Sequence, residues 1–144
     1  MTLYFDTSAL VKLFSDEQGS KLVRQIISNP FNEIWVLELA LIEILSAVYR
    51  KRRNDEIPEG KLEAILIAIE QQFRSFRIVP LASDILEETK VLMKQFGGEF
   101  GLRTLDALHI AGFILFAEPR WKFVSSDKNQ IDVVAALNYQ TIAV

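Results

Sequence analysis

Four carboxylates in this 144-residue chain stand where an acidic side chain could do chemistry. Asp6 follows the first apolar segment, and Asp127 follows the apolar segment KFVS. Glu43 lies inside the stretch WVLELALIEILSAV, and Asp106 lies near the start of RTLDALHIAG, both otherwise largely apolar. Burying an unpaired carboxylate is very costly, so acids in such surroundings need either a partner or a function.

Each of these acids also has an ordinary structural explanation. Asp is common where a strand feeds a helix, as at Asp6 and Asp127. Asp106 could cap its helix, although Thr104 competes for that role. Glu43 could face solvent if its side of the helix is open. Taken singly, the acids therefore leave a structural and a functional interpretation open.

Strands and helices alternate along the chain, and they would bring these acids together. Apolar runs predict strands at 2–5, 33–37, 77–81, 122–125 and 140–144. Helical spacing predicts helices at 8–15, 18–28, 39–53, 62–73, from 84 to near 97, from about 104, and from 127 to 137. Asp84 with Glu87 looks like a capping box at the start of its helix. Gly97-Gly98 would end that helix before a loop over 97–103. Pro58 suits the first turn of the helix that carries residues 62–73.

This alternation predicts a three-layer α/β/α fold with a central parallel five-stranded sheet, in one domain spanning residues 1–144. In open parallel sheets the functional crevice lies beyond the carboxyl ends of the strands. Asp6 and Asp127 both follow a predicted strand. We therefore expect them on the same edge of the sheet.

Composition narrows the possible functions. Half of the residues are hydrophobic, the net charge is −3, and there is no cysteine and one histidine. No disulfide or thiolate nucleophile is possible, and a zinc site is disfavoured. The start MTLYFDTSALV does not look like a signal peptide, and the apolar run at 107–117 is far below the roughly 20 residues that cross a bilayer. We expect a cytoplasmic protein with no membrane contact.

The strings YFDTSALVKLF, SAVYRKRR, LRTLDALHIA and VSSDKN resemble, in this order, the PIN domain family, and most of all its VapC-type toxins of toxin–antitoxin pairs. The resemblance implies a metal-dependent endoribonuclease whose catalytic and metal-binding acids are Asp6, Glu43, Asp106 and Asp127. It also matches Thr7, Ser8 and Ser126 to small polar residues beside those acids. Hydrolysis would leave a 5′-phosphate and a 3′-hydroxyl.

The acid cluster itself suggests the cofactor. Two carboxylates about 4 Å apart repel each other by roughly 1 kcal/mol in water and by about 4 kcal/mol at an effective dielectric of 20. A cation would offset this repulsion, and oxygen ligands select a hard ion, Mg²⁺ or Mn²⁺. Either Glu43 or Asp127 could take the proton of the attacking water.

Cationic side chains would hold the RNA. Arg50 lies seven residues after Glu43, on nearly the same helix face and about 10 Å along the axis. Arg103, Lys12 and the rest of the run 50–53 are further candidates for phosphate contacts. The run 50–53 could equally be the solvated positive end of a helix. The acidic net charge argues against broad nonspecific nucleic-acid binding.

Several positions depart from the family pattern or stay open. Glu38 stands where relatives carry Ser or Thr, and we expect it to face water; the role of Asp132 stays open. Asp106 and His109 form a D-x-x-H pair, but di-iron bundles need two such motifs. We therefore expect His109 to pack beside the site with a hydrogen-bonded ring rather than act as a general base.

Other acidic α/β proteins fit less well. A haloacid-dehalogenase-type phosphatase would need a second acid two residues after Asp6, where Ser8 stands, and a response-regulator receiver would need an aspartate ending the third strand. The main alternative is a catalytically silent PIN-like module that binds protein. We also expect an antitoxin partner over the acidic crevice and a homodimer through the helices around residues 38–73.

Overall fold

Short apolar runs form five strands in the computed structural model, which describes all 144 residues. The strands are β1 (Thr2–Phe5), β2 (Glu33–Leu37), β3 (Arg77–Val79), β4 (Lys122–Ser125) and β5 (Gln140–Ala143). The seven helices are α1 (Thr7–Val11), α2 (Ser20–Ser28), α3 (Leu39–Arg53), α4 (Leu62–Phe73), α5 (Ser83–Phe100), α6 (Thr104–Phe116) and α7 (Lys128–Ala136). None of these helices combines the length and the hydropathy that crossing a bilayer requires.

The five strands form one parallel sheet in the order β3-β2-β1-β4-β5. At the centre, Phe5 of β1 pairs with Val36 of β2 and with Val124 of β4. The carboxyl ends of these three strands therefore lie side by side. The predicted parallel five-stranded α/β/α architecture is confirmed.

Each face of the sheet carries its own apolar core because strand side chains alternate between faces. Tyr4 belongs to the core under α5, α6 and α7, whereas its neighbours Leu3 and Phe5 belong to the core under α1 to α4. All three are fully buried. The chain segment that carries Asp6 into the site is therefore fixed by packing on both sides.

The predicted loop over 97–103 is mostly wrong. Helix α5 continues through Gly97 and Gly98 to Phe100, and Gly101 adopts the left-handed conformation with φ of 63°. Each helical glycine costs roughly 1 kcal/mol of propensity relative to alanine. The buried face of α5, which includes Phe96, outweighs that cost and carries the helix past the glycines.

Two predicted helix caps are also wrong. The residue before α5 is Ala82, which makes no side-chain cap, and Asp84 lies inside the first turn instead. Thr104 is the first residue of α6, and Arg103 takes the capping position, where its side chain does not cap the backbone N–H groups of the helix. Helix α6 thus begins without a side-chain cap, and both side chains at its start remain available for other contacts.

Smaller differences concern where elements begin and end. Strand β3 stops at Val79 because Pro80 has no N–H to donate to a ladder. Helix α1 gives way after Val11 to tighter turns, in which Leu13 and Phe14 donate their N–H groups to carbonyls three residues earlier. Pro58 precedes α4 by a turn rather than starting it.

Helix α6 approaches the sheet closely at Gly112. A Cβ at this position would lie 2.5 Å from the hydroxyl oxygen of Tyr4 and 3.2 Å from a methyl group of Leu37. The Tyr4 hydroxyl is buried without a hydrogen-bond partner, and its ring packs against Phe113 and Phe123. The absence of a side chain at Gly112 therefore sets how deeply α6 sits against β1.

We expect Gly112→Ala to destabilise the protein by about 1–3 kcal/mol, since the added methyl overpacks the core. Tyr4→Phe should be neutral or stabilising because it removes an unsatisfied buried hydroxyl. In the Tyr4→Phe background, Gly112→Ala should cost clearly less, because the clashing oxygen is gone. Urea unfolding of the four proteins measures this coupling. An equal cost in both backgrounds would show that the hydroxyl does not limit the approach.

Candidate active site

A cavity of about 340 Å³ opens beyond the carboxyl ends of β1 and β4. All four acids singled out in the sequence line it, although they come from four separate segments of the chain. Thr7, Ser8 and Gln130 line it as well. The charged and titratable lining consists of Asp6, Glu43, Arg50, Arg103, Asp106, His109 and Asp127.

Asp6 is the innermost acid, with only 1% of its surface exposed. It caps α1 by accepting the backbone N–H of Ala9 at 2.9 Å. The hydroxyls of Ser8 and Ser125 donate to it at 2.7 and 2.9 Å, and the amide of Gln130 donates at 2.8 Å. Burial raises the pKa of Asp6, although nearby His109 and these hydrogen bonds oppose the rise.

Glu43 reaches the cavity from α3 and is held by two neighbours. Its Oε2 lies 2.5 Å from the hydroxyl of Thr7 and 2.5 Å from Nε2 of His109. Burial alone would raise the pKa of Glu43, but the hydrogen bonds and charge of His109, together with Thr7, lower it. Its other oxygen, Oε1, accepts no hydrogen bond from the protein.

His109 lines the cavity and has a hydrogen-bonded ring, as expected. It is 2% exposed, and its Nε2 also lies 3.1 Å from the Thr7 hydroxyl. Its Nδ1 is buried without a partner. The ring therefore meets the site through a single edge, which fixes the orientation of Glu43.

Arg103 joins the two remaining acids. Its Nε donates to Oδ2 of Asp106 at 2.8 Å, and its Nη2 donates to Oδ2 of Asp127 at 3.1 Å. Asp127 also caps α7, since its Oδ1 accepts the backbone N–H groups of Asn129 and Gln130. A positive charge of the chain itself thus lies between two of the acids.

Gln130 and Ser125 were not predicted from the sequence as site residues. The Gln130 amide donates to Asp6 at 2.8 Å and to Asp106 at 3.2 Å, while its own oxygen is buried without a partner. Gln130 was recognisable in principle, because it lies on the same face of α7 as the buried residues Val133 and Val134. The Ser125 hydroxyl connects Asp6 with the backbone of Asp127.

Other residues considered in the sequence lie outside the cavity. Ser126 is exposed and contributes its backbone N–H to Ser8. Glu38 is exposed as expected, although its carboxylate accepts the N–H of Leu81. Asp132 pairs with Lys128 on the outer surface of α7.

Among the cations, only Arg50 and Arg103 line the cavity. Lys12 donates to the carbonyl of Gln18 instead. Lys51 and Arg52 pair with neighbouring acids beyond the end of α3. The run 50–53 is thus mostly a solvated helix end, and Arg50 alone faces the acids.

No three Asp, Glu, His or Cys side chains are grouped so as to hold a metal ion. Each oxygen of Asp6, Asp106 and Asp127 already accepts from a protein donor. The site is therefore an acidic cavity with hydrogen-bonded walls rather than a preformed chelate. Its four carboxylates nevertheless offer only oxygen ligands, and the Arg103 guanidinium already places a positive charge between Asp106 and Asp127.

Comparison with known proteins identifies the family and the fold. A family model described as the PIN domain matches residues 3–136. A search of curated proteins finds no sequence that matches the chain.

Solved structures share the fold at low sequence identity. The VapBC2 complex of Rickettsia felis, bound to a DNA fragment from its promoter, aligns at a TM-score of 0.67 with 13% identity, over 100% of this chain and 99% of that one. FitAcB of Neisseria gonorrhoeae aligns at 0.70 with 13% identity, over 97% and 96%. VapC20 of Mycobacterium tuberculosis, a toxin that cleaves the sarcin-ricin loop, aligns at 0.67 with 12% identity, over 99% of each chain.

The buried carboxyl of Asp6 makes stability depend on pH. Since its folded pKa is raised, the folded protein holds this proton more tightly than the unfolded chain, whose pKa is about 4. Between the two pKa values, stability must fall as pH rises. We expect the free energy of unfolding of the wild type, relative to Asp6→Asn, to decrease as pH rises above about 4.

Denaturant unfolding in EDTA at constant ionic strength measures this difference. The lowered pKa of Glu43 acts in the opposite direction, adding stability that is lost on acidification. Glu43 is present in both proteins, so its contribution largely cancels. A difference that is flat or increases with pH would contradict the raised pKa of Asp6.

Proposed function

Because this chain belongs to the PIN domain family, we propose that it is a divalent-metal-dependent endoribonuclease, formed by one domain over residues 1–144. We further propose that it is the toxin of a toxin–antitoxin pair. The observation that carries the proposal is the single cavity in which Asp6, Glu43, Asp106 and Asp127 meet. Structural caps alone would not require four acids from distant segments to share one cleft.

The donors in this cavity suit Mg²⁺ or Mn²⁺. Carboxylate oxygens are the ligands that these hard ions prefer. The ion would be held by carboxylate oxygens of Asp6, Glu43, Asp106 and Asp127. When bound, such an ion holds the scissile phosphate, lowers the pKa of a water and offsets charge on the leaving oxygen.

The remaining side chains have distinct parts in hydrolysis. A water attacks phosphorus, the bond to the 3′-oxygen breaks, and the products carry a 5′-phosphate and a 3′-hydroxyl. Glu43 is better placed than Asp127 to take the water's proton, because its Oε1 has no other donor. Both oxygens of Asp127 are already engaged. His109 is a positioning residue that holds the Glu43 carboxylate.

The substrate would approach over the polar rim. Arg50 and Arg103 line the cavity and supply positive charge for the RNA backbone. Thr7, Ser8 and Ser126 add hydroxyls and backbone N–H groups beside Asp6. These contacts read phosphate rather than base, so they position the RNA without selecting its sequence.

The alternative is a catalytically silent module that binds protein. Such a module has no need of a buried carboxylate such as Asp6, which accepts several hydrogen bonds and faces three other acids. Because such a carboxylate is costly to bury, its presence favours an enzyme over a silent module.

A partner is the second part of the proposal. An apolar groove of about 260 Å³ lies against α1, α3 and the start of α4, beside the acidic cavity. Val11, Ile44, Val48 and Ile65 contribute to its lining. Neighbouring structures of this fold include toxin–antitoxin complexes, among them one from Klebsiella pneumoniae. We propose that an antitoxin segment fills this groove and covers the acids.

Activity provides the direct test. Purified protein should cleave RNA with Mn²⁺ or Mg²⁺ and lose activity in EDTA. Asp6→Asn should lower the rate more than the roughly 10–100-fold typical of residues outside the metal's direct ligands. Asp132→Asn, the same change at an acid on the outer surface of α7, is the matched control and should cleave normally. Cleavage that survives both EDTA and Asp6→Asn would contradict the proposed site.

We also propose a homodimer through α3 and α4. Ile42 and Tyr49 are 63% and 46% exposed and lie seven residues apart, on one side of α3. Ile42→Glu should convert a dimer into a monomer, whereas Leu86→Glu, at an exposed position of α5 across the sheet, should not. Light scattering coupled to size exclusion over a dilution series measures both. A wild type that is monomeric at every concentration would rule out this dimer.

A further inference from the structure

The side chain of Arg103 is 72% exposed, yet its guanidinium points back to two acids of the cavity. Nε lies 2.8 Å from Oδ2 of Asp106, and Nη2 lies 3.4 Å from Oδ1 of the same carboxylate. The same Nη2 lies 3.1 Å from Oδ2 of Asp127. The side chains of the two acids are only 10% and 22% exposed. One exposed cation thus pairs with two largely buried carboxylates.

A divalent ion cannot share these oxygens with the guanidinium. Both oxygens of Asp106 and one oxygen of Asp127 accept from Arg103. The Arg103 side chain is mostly exposed, so water can solvate the guanidinium when it leaves the two acids. Replacement of the guanidinium by a doubly charged ion is therefore favoured. The ion must nevertheless compete with Arg103, which the chain holds close to both acids.

We propose that Arg103 is a built-in competitor of the divalent ion. It occupies Asp106 and Asp127 when no ion is bound, and it is displaced when the ion enters. The displaced guanidinium then lies at the rim of the same cavity, with its planar fork free to bind an RNA phosphate. Ion binding and substrate binding are thereby coupled through one side chain. This inference rests on the proposed metal-dependent activity.

Arg50 offers a matched control. It lines the same cavity and carries the same charge, but its side chain makes no hydrogen bond or ion pair with any acid. Arg50→Gln and Arg103→Gln therefore remove equal charge from one cleft. Only Arg103→Gln also frees the oxygens of Asp106 and Asp127. A difference between the two variants isolates direct competition from the general field of the protein.

The test measures Mn²⁺ dissociation constants of the metal-free, full-length protein, with the free ion followed by electron paramagnetic resonance. Arg103→Gln should bind Mn²⁺ about fivefold more tightly than wild type, which is the upper end of the scale for one ion pair with a solvent-exposed partner. Arg50→Gln should change the constant by less than about twofold. Arg103→Met serves as a second neutral variant, and thermal unfolding verifies that each protein is folded.

The outcomes separate this inference from the proposed function. If wild type binds Mn²⁺ and Arg103→Gln binds it no more tightly than Arg50→Gln does, competition by Arg103 is wrong while the metal site stands. Weaker binding by Arg103→Gln would show that the guanidinium positions the acids instead, which also overturns the inference. If neither wild type nor any variant binds Mn²⁺ saturably, the metal-dependent function itself fails.

Discussion

Repulsion among carboxylates at one edge of a parallel sheet is the constraint on which this site depends. Four acids share a cavity of about 340 Å³, and the innermost one has almost no access to water. Such a cluster is stable only if each charge is matched by a donor, a cation or a proton. The surrounding residues show how this chain meets that requirement. Most of the polar side chains of the site already form hydrogen bonds or ion pairs with the acids.

Different partners offset the charge of different acids. Asp6, at the centre of the sheet, relies on neutral donors from Ser8, Ser125 and Gln130. Glu43 relies on the imidazole of His109. Asp106 and Asp127 share the guanidinium of Arg103. The Arg103 side chain is 72% exposed, so this positive charge lies where it costs least to hold and least to release.

The fold was predictable from the sequence because its signals are local. Apolar strands alternating with amphipathic helices leave few arrangements other than a covered parallel sheet. Predictions failed where tertiary packing overrode local preference. Gly97 and Gly98 suggested a helix end, but burial of Phe96 on the same helix carries α5 past them. Thr104 suggested a helix cap, but it stands one residue too late.

The acids of the site were likewise predictable from their apolar surroundings, and the cavity brings them together. Their partners were not predictable. Gln130 reads in sequence as one more polar residue of a terminal helix, and only the packing of α7 against α6 makes it a bridge between Asp6 and Asp106. Which donor meets which acid depends on sub-ångström placement of helices. Residue spacing along a chain does not encode such distances.

Helix α6 connects core packing to chemistry. Asp106 and His109 lie one turn apart on this helix. Asp106 accepts a hydrogen bond from Gln130, and His109 contacts Glu43. Gly112 lies one further turn along and packs against Tyr4. The position of α6 along its own axis therefore places Asp106 and His109 together. A methyl group added at Gly112, deep in the hydrophobic core, would therefore displace both side chains together. The alignment of the site thus depends on a contact that no substrate touches.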